Sequence, residues 1–331
     1  MRDARSRVTI LLTTSPCVAH PETTLIEEVV ASIAAKGGLG TAVGCRLIIV
    51  CDGLKRRDEN KFRSGVVNEV GERNYEEYLD RLAWLVNDSD GPMRGAEVIR
   101  LEERHGFGHA LKRALMRVTT PYVLVAQHDR SFVRKVPMNA VLDIMDHDLE
   151  VSYCGFPTST TLSHDVRVVG RVFERDGTKI CLTRRSYPSH PGIELVPLLQ
   201  FYDSMHVART SFFLEKVFGK QRFINISLGS FIEDQLSQLM LSLIRDRGIE
   251  AHAQFGTFIV EDEANMPMAG HIDGHDPRNT DPGSTKFSHV TSTPEDWSSR
   301  PNVRGLGTSI ERLAGFGHFT ERFRYLERLR L

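Results

Sequence analysis

The chain has 331 residues, of which 40% are hydrophobic and 26% charged, and its formal net charge is −1. That length supports a sizeable core in one large domain or two small ones, and the near-neutral balance excludes a protein that binds nucleic acid through bulk charge. The five cysteines, Cys17, Cys45, Cys51, Cys154 and Cys181, are scattered without a C-x-x-C pair, which fits buried thiols in a reducing compartment better than a disulfide framework.

The first apolar run, Val8 to Leu12, is too short for a signal peptide core or a membrane span, and no later stretch approaches spanning length. A cytoplasmic protein with at most peripheral membrane contact is therefore expected. The same run is continuous rather than alternating, as in a strand covered on both faces. Ile26, Val29, Val30 and Ile33 follow at helical spacing and stop at Gly37-Gly38. Arg46 to Cys51 is a second buried strand, ending at Asp52-Gly53, so the opening segment reads as a β-α-β unit.

Leu54 to Arg73 is charged and reads as exposed. Leu79, Leu82, Ala83 and Val86 mark another helix, residues 87–95 a loop, and Ala96 to Leu101 a third strand. His105-Gly106-Phe107-Gly108 breaks the chain before a helix face of Ala110, Leu111, Ala114, Leu115 and Val118, which Pro121 closes. Tyr122 to Ala126 is a buried strand running into Gln127-His128-Asp129, and the carboxyl ends of parallel strands are where α/β sheets hold ligands. Beyond it, Val151 to Phe156 and Val166 to Phe173 read as strands, Glu233 to Arg245 as an amphipathic helix, and Phe255 to Val260 as a strand. Residues 261–304 are polar and rich in Gly, Pro, Asp and His, and a helix rich in Arg and aromatic residues is expected over 308–331.

Glu102 to Asp129 resembles the central stretch of inverting GT-A glycosyltransferases of the family 2 type, in which a glycine-containing loop opens a helix and an apolar strand ends in D-x-D. Thr13-Thr14-Ser15, Asp52 and the Glu233-Asp234 pair stand where that family has its donor pocket, an acidic residue after the second strand, and its acceptor-side acids. The resemblance covers residues 8 to about 245. It implies an α/β, Rossmann-like fold with a mostly parallel central sheet flanked by helices. The expected division is a domain over 1–260, with a donor half to about 130 and an acceptor half after it, and a loop-and-helix extension over 261–331. It also implies a nucleotide-sugar donor, Mn²⁺ or Mg²⁺, and a glycan, lipid-linked or small-molecule acceptor. In one respect the chain departs from the pattern: Gln127 replaces the first acid of D-x-D and only Asp129 remains.

On that resemblance, Asp129 is the expected metal ligand, and His271 completes the metal site or contacts the diphosphate. Both suit a hard cation that neutralises a departing diphosphate. Thr13, Thr14 and Ser15 would contact the nucleotide base, and Asp52, an acceptor-only group, the base or ribose. Gly106 and Gly108 would let the backbone approach the donor, with Lys112 and His128 beside it. Asp234 is the expected base that takes the acceptor proton, with Glu233 beside it to offset the acidifying helix dipole. Apart from the resemblance, Arg184 and Arg185 carry forked donors suited to an anionic or sugar acceptor, but their first reading is a solvated loop. Two alternatives stay open: a metal-dependent hydrolase built on His271 and His275, and a non-catalytic module that binds nucleotide or glycan.

Overall fold

The computed structural model describes residues 6–88, 90–174, 177 and 179–272. The donor half runs β1 (Val8–Thr14), α1 (Thr24–Gly37), β2 (Arg46–Cys51), then a short ladder of β3 (Lys55–Arg56) with β4 (Val66–Val67), and α2 (Glu69–Asn87). It continues with β5 (Glu97–Arg100), α3 (Phe107–Leu115) and β6 (Tyr122–Gln127). Then come β7 (Arg130–Phe132), α4 (Met138–His147), β8 (Tyr153–Gly155), α5 (His164–Val168), β9 (Arg185–Ser186) and β10 (Ile193–Pro197). The described chain closes with β11 (His206–Arg209), α6 (Glu233–Arg247), β12 (Thr257–Asp262) and β13 (Ala269–His271).

Nine strands form one sheet in the order β5-β2-β1-β6-β11-β8-β12-β10-β9. β5, β2, β1 and β6 are parallel neighbours. Only β11 and β10 run against the rest, so the sheet is mostly parallel in strand direction. The unbroken apolar runs are explained by coverage on both faces. Val8, Ile10 and Leu12 of β1 join a core with α1, α2 and α4, while Leu11 joins a second core with α3 and α6. Ile48 and Val50 of β2 and Val123 and Val125 of β6 likewise face the second core, and their neighbours face the first. Alternation is present in space but invisible in composition.

Three sequence expectations change. Val166 to Phe173 is not a strand: α5 passes into a π-type turn over Val169–Phe173. The β-branched residues suggested extension, yet Val166 is 71% exposed while Val168 and Phe173 are buried, a helical rather than a two-residue period. The charged 54–73 segment carries the β3–β4 ladder and the start of α2, whose buried face includes Tyr75 and Tyr78. The expected boundary at 260 falls inside β12, and β13 returns to pair with β7, so residues 261–272 belong with the sheet and its ribbon. The remainder of the 261–331 segment, with His275 and the expected terminal helix, lies outside the described residues. Cys45, Cys51 and Cys154 are buried, as the apolar runs around them imply. Among the described residues no helix is long and apolar enough to cross a membrane.

Candidate active site

The carboxyl ends of β1, β2, β5 and β6 share one rim, with Thr14 opposite Cys51, Cys51 opposite Arg100, and Thr13 opposite Gln127. Beyond β6 the chain turns through His128 and Asp129 into β7. β13 pairs with β7 so that His271 lies opposite Arg130, and the Ile272 N–H donates to the Asp129 carbonyl at 3.0 Å. This ribbon brings His271 Nδ1 to 3.5 Å from Asp129 Oδ2 across a long stretch of sequence. Burial opposes the Asp129 charge, but His271, His128 and Arg130 together hold its carboxyl well below the usual carboxylate range. For His128, burial disfavours the charged form, while a side-chain hydrogen bond with Cys17 and the Asp129 charge raise it to about 9.

Asp129 Oδ1 is buried and has no hydrogen-bond partner. A buried carboxylate oxygen left unpaired is costly unless something occupies it. Among the described residues no three acid, histidine or cysteine side chains cluster closely enough to hold a metal by themselves. One carboxylate and one imidazole, with the rest supplied by phosphate and water, suit Mg²⁺ or Mn²⁺ better than a closed structural zinc site. The donor set fits such a cation.

Asp52 acts differently from the expectation. It is only 6% exposed, and its Oδ1 accepts from the Gly53 and His105 N–H groups at 3.0 and 2.7 Å, its Oδ2 from Gly106 N–H at 2.8 Å. Burial raises its pKa while these bonds oppose the rise. The carboxylate thus anchors the backbone of Gly53 and of residues 105–106, and it also lines a cavity at the ends of β2 and β5. Asp52→Ala leaves three donors unpaired and is expected to lose about 3 kcal/mol in chemical denaturation, with the helix content intact; an unchanged midpoint would refute the anchor.

The glycines are required by protein, not only by a ligand. The 226–231 loop lies against the 105–108 loop: Gly229 N–H donates to the His105 carbonyl at 2.7 Å, Gly108 N–H to the Ser230 carbonyl at 3.2 Å, and Phe107 stacks on Phe231. Thr13 and Thr14 are buried, with their hydroxyls turned inward to the Ala126 carbonyl and the Tyr78 hydroxyl, and Ser15 is half-buried, so of that trio only the Ser15 hydroxyl is left for a base, beside the backbone. Lys112 lies over the Phe218 ring rather than at the rim. The forks of Arg184 and Arg185 are taken: Arg184 binds Asp165, Glu194 and Glu261, and Arg185 binds Asp148 and Glu150.

The 226–231 loop leads into α6, whose head carries Glu233 and Asp234. Asp234 is exposed, and its Oδ2 accepts from the Phe231 N–H at 3.1 Å. The burial expected around Asp234 falls instead on Glu233 and on Asp203, a residue the sequence did not single out. Asp203 is 2% exposed. Its Oδ2 accepts from Glu233 N–H, and its own N–H donates to Glu233 Oε2, both at 2.9 Å. Gln127 Nε2 donates to the Asp203 carbonyl at 2.8 Å. Hydrogen bonds and packing thus tie Asp52 to Gly106, the 105–108 loop to the 226–231 loop, Phe231 to Asp234, Glu233 to Asp203, and Asp203 to Gln127, two residues before Asp129. Arg130, also absent from the sequence reading, is near enough to lower the Glu233 carboxyl against its burial, and its Nε is buried without a partner.

A cavity of about 200 Å³ opens at the ends of β2 and β5, lined by Asp52, Leu54, Tyr75, Leu79, Arg100 and Leu101. A larger one of about 380 Å³ lies at β10 and β12, among Arg184, Tyr187, His190, Glu194, Glu261 and Asn265. The size of the second does not make it the reacting centre, because its one arginine is neutralised by three carboxylates and the open metal-type donors lie elsewhere.

No family model matches the sequence, and no curated protein is similar to it in sequence. Among solved structures, the chain is similar to glucosyl-3-phosphoglycerate synthase from Mycobacterium tuberculosis in complex with Mn²⁺, UDP and its product. The identity is 11%, 81% of this chain and 72% of that chain are covered, and the TM-score is 0.38. It is also similar to S. aureus TarS 1–349 in complex with UDP-GlcNAc, with 14% identity, 78% and 56% coverage and a TM-score of 0.39. GalNAc-T7 with UDP, GalNAc and Mn²⁺ matches at 11% identity, 81% and 44% coverage and a TM-score of 0.45. The chain thus spans about half the length of the last two.

Proposed function

We propose that this chain is a glycosyltransferase that moves a sugar from a nucleotide-diphosphate donor to an acceptor hydroxyl, with inversion and with the help of Mn²⁺ or Mg²⁺. The observation that carries the reading is the Asp129 carboxylate at the carboxyl rim of the sheet, with Oδ1 buried and unpaired and Oδ2 3.5 Å from His271 Nδ1, and with Gln127, two residues earlier, tied through Asp203 to the acidic head of α6. The rim geometry suits a pyrophosphate, the pocket beside Leu54 and Tyr75 has room for part of a nucleoside, and the solvent-open Asp234 is accessible to an acceptor. The residues before about 130 would then handle the donor and those after it the acceptor, and the reaction would take place in the cytoplasm.

A bound divalent cation supplies charge neutralisation on the departing diphosphate. Asp129 and His271 would hold it. Asp234 accepts the proton of the acceptor hydroxyl as that oxygen attacks the anomeric carbon from the face opposite the leaving group. The Phe231 N–H keeps its carboxylate oriented at the head of α6. Glu233 is tied to Asp203 and holds the helix head in place rather than meeting the acceptor.

UDP, GDP or dTDP with Mn²⁺ is expected to raise the melting temperature, through about 2.7 kcal/mol of linkage at a ligand concentration 100 times Kd. Absence of any shift across the three nucleotides would overturn the reading. Asp234→Asn is expected to lower transfer by roughly 10²–10⁴-fold and to leave the nucleotide shift in place. Full transfer by that variant would put the base elsewhere.

A further inference from the structure

We propose that Gln127, Asp203 and Glu233 form a positioning relay that docks the head of α6 onto the end of β6 and so fixes Asp234 relative to Asp129. The proposal deepens the transferase reading and rests on it for the consequence to turnover, but not for the relay itself.

The residue that opens α6, Ile232, provides no side-chain cap. The Glu233 N–H is satisfied instead by Asp203 Oδ2, from 30 residues earlier in the chain, and Glu233 Oε2 returns the favour to the Asp203 N–H. This is a reciprocal capping arrangement built between two separate segments. A second tie joins the same pair, since the Ser237 hydroxyl donates to the Phe201 carbonyl at 2.7 Å. Gln127 then attaches the assembly to the last residue of β6, two positions before Asp129.

The chemistry explains why an amide stands at 127. Its partner is a carbonyl oxygen, which needs a donor. An ionised carboxylate only accepts, so it would lose the bond. It would also add a third acid to a buried pair. The groups facing that pair are Asp234 on α6, Arg130 on β7 and Tyr153 on β8, with Arg130 as the cation acting on Glu233. Burial and then the Glu233 charge raise the Asp203 carboxyl, and burial and the Asp234 charge raise Glu233 against the Asp203 N–H and Arg130. Asp203 Oδ1 is buried without a partner, where a charged oxygen is penalised more than a neutral one. Because both folded values are raised, the pair's contribution to stability is complete below the ordinary carboxylate range. It is lost as pH rises through the folded values.

The test uses the full chain. Gln127→Glu keeps the length of the side chain but replaces the donor by an acid, and Gln127→Met removes the donor without adding charge. Gln127→Glu is expected to melt several degrees below Gln127→Met, and Asp203→Asn introduced into Gln127→Glu is expected to restore part of that loss, a non-additivity that a simple packing role would not produce. Asp203→Asn alone, which still offers an oxygen to the Glu233 N–H, is expected to flatten the fall of stability as pH rises above the ordinary carboxylate range, by up to about one proton. Asp203→Ala is expected to lower kcat for hydrolysis of UDP-glucose or GDP-mannose by about 100-fold, with the KM for the donor and the UDP- or GDP-Mn²⁺ thermal shift unchanged. Gln127→Glu as stable as wild type, additive double-variant effects, or loss of the nucleotide shift in Asp203→Ala would each overturn the relay. If wild type itself shows no nucleotide shift, the transferase reading fails while the stability comparisons still decide the relay.

Discussion

Asp129→Ala is expected to abolish the Mn²⁺-dependent part of nucleoside-diphosphate binding and to lower turnover by roughly 10²–10³-fold or more, the loss typical when a major charge-stabilising group is removed from a reacting centre. The size of the effect follows from the scarcity of ligands. Gln127 carries no charge and is committed to the Asp203 carbonyl, Asp52 anchors the backbone of residues 105–106, and Asp203 and Glu233 are committed to each other. Among the described residues no neighbouring carboxylate is therefore placed to substitute for Asp129. His271 alone is a poor ligand for a hard cation. The appropriate measurement is a thermal-shift titration of UDP and GDP with and without Mn²⁺, beside circular dichroism of the free variant. A variant that keeps its folded spectrum and its full Mn²⁺-dependent shift would remove Asp129 from the site. His271→Ala should weaken the same metal-dependent shift less, because it deletes a neutral ligand and leaves the carboxylate.

The sheet and the position of the rim were legible because fully buried strands leave long apolar runs, and the polar residues that end them are conspicuous. Val8 to Thr14, Arg46 to Cys51 and Tyr122 to Gln127 are all found as strands with both faces covered. Asp129 could be read from its place after such a run, and His271 from the family resemblance alone. What pattern reading missed is whatever depends on backbone partners. Asp52 looked like a ligand-binding carboxylate because nothing in its own sequence shows that three N–H groups from two separate stretches converge on it. Thr13 and Thr14 looked like donors to a base because strand register, and not residue type, decides that their hydroxyls point inward. Asp203 stands in an apolar stretch without a motif, and its importance comes from a reciprocal bond to a helix 30 residues away. Gln127 was visible as a departure from D-x-D, but the reason for the departure is a carbonyl on another strand's approach.

Gly106→Ala is expected to be the most damaging single-methyl addition in the chain's donor half. Gly106 has φ 78° and ψ 164°, a region that residues with a side chain essentially do not occupy. A Cβ there would stand 2.3 Å from Gly229 Cα, so the obstacle is backbone and not a side chain that can turn aside. Strain of this kind costs about 1–3 kcal/mol, and forced overpacking adds a similar amount, about 1–3 kcal/mol. Relief would require the 105–108 loop and the 226–231 loop to separate, which breaks the Gly229-to-His105 hydrogen bond and pulls Gly106 N–H away from Asp52. The same separation would move the start of α6, because Phe231 stacks on Phe107 and its N–H is held by Asp234. Scaled by the size of the domain, a drop in melting temperature of about 10 °C is expected. Gly108→Ala is the control, since its Cβ would stand 3.0 Å from Ile226 Cγ2 and 3.3 Å from the Ser230 carbonyl oxygen, both looser than the 2.3 Å at Gly106, and without a positive φ. It should cost much less. Equal melting temperatures for the two variants would mean that the loops are not locked together as described, and that the acids on α6 reach the rim by some other support.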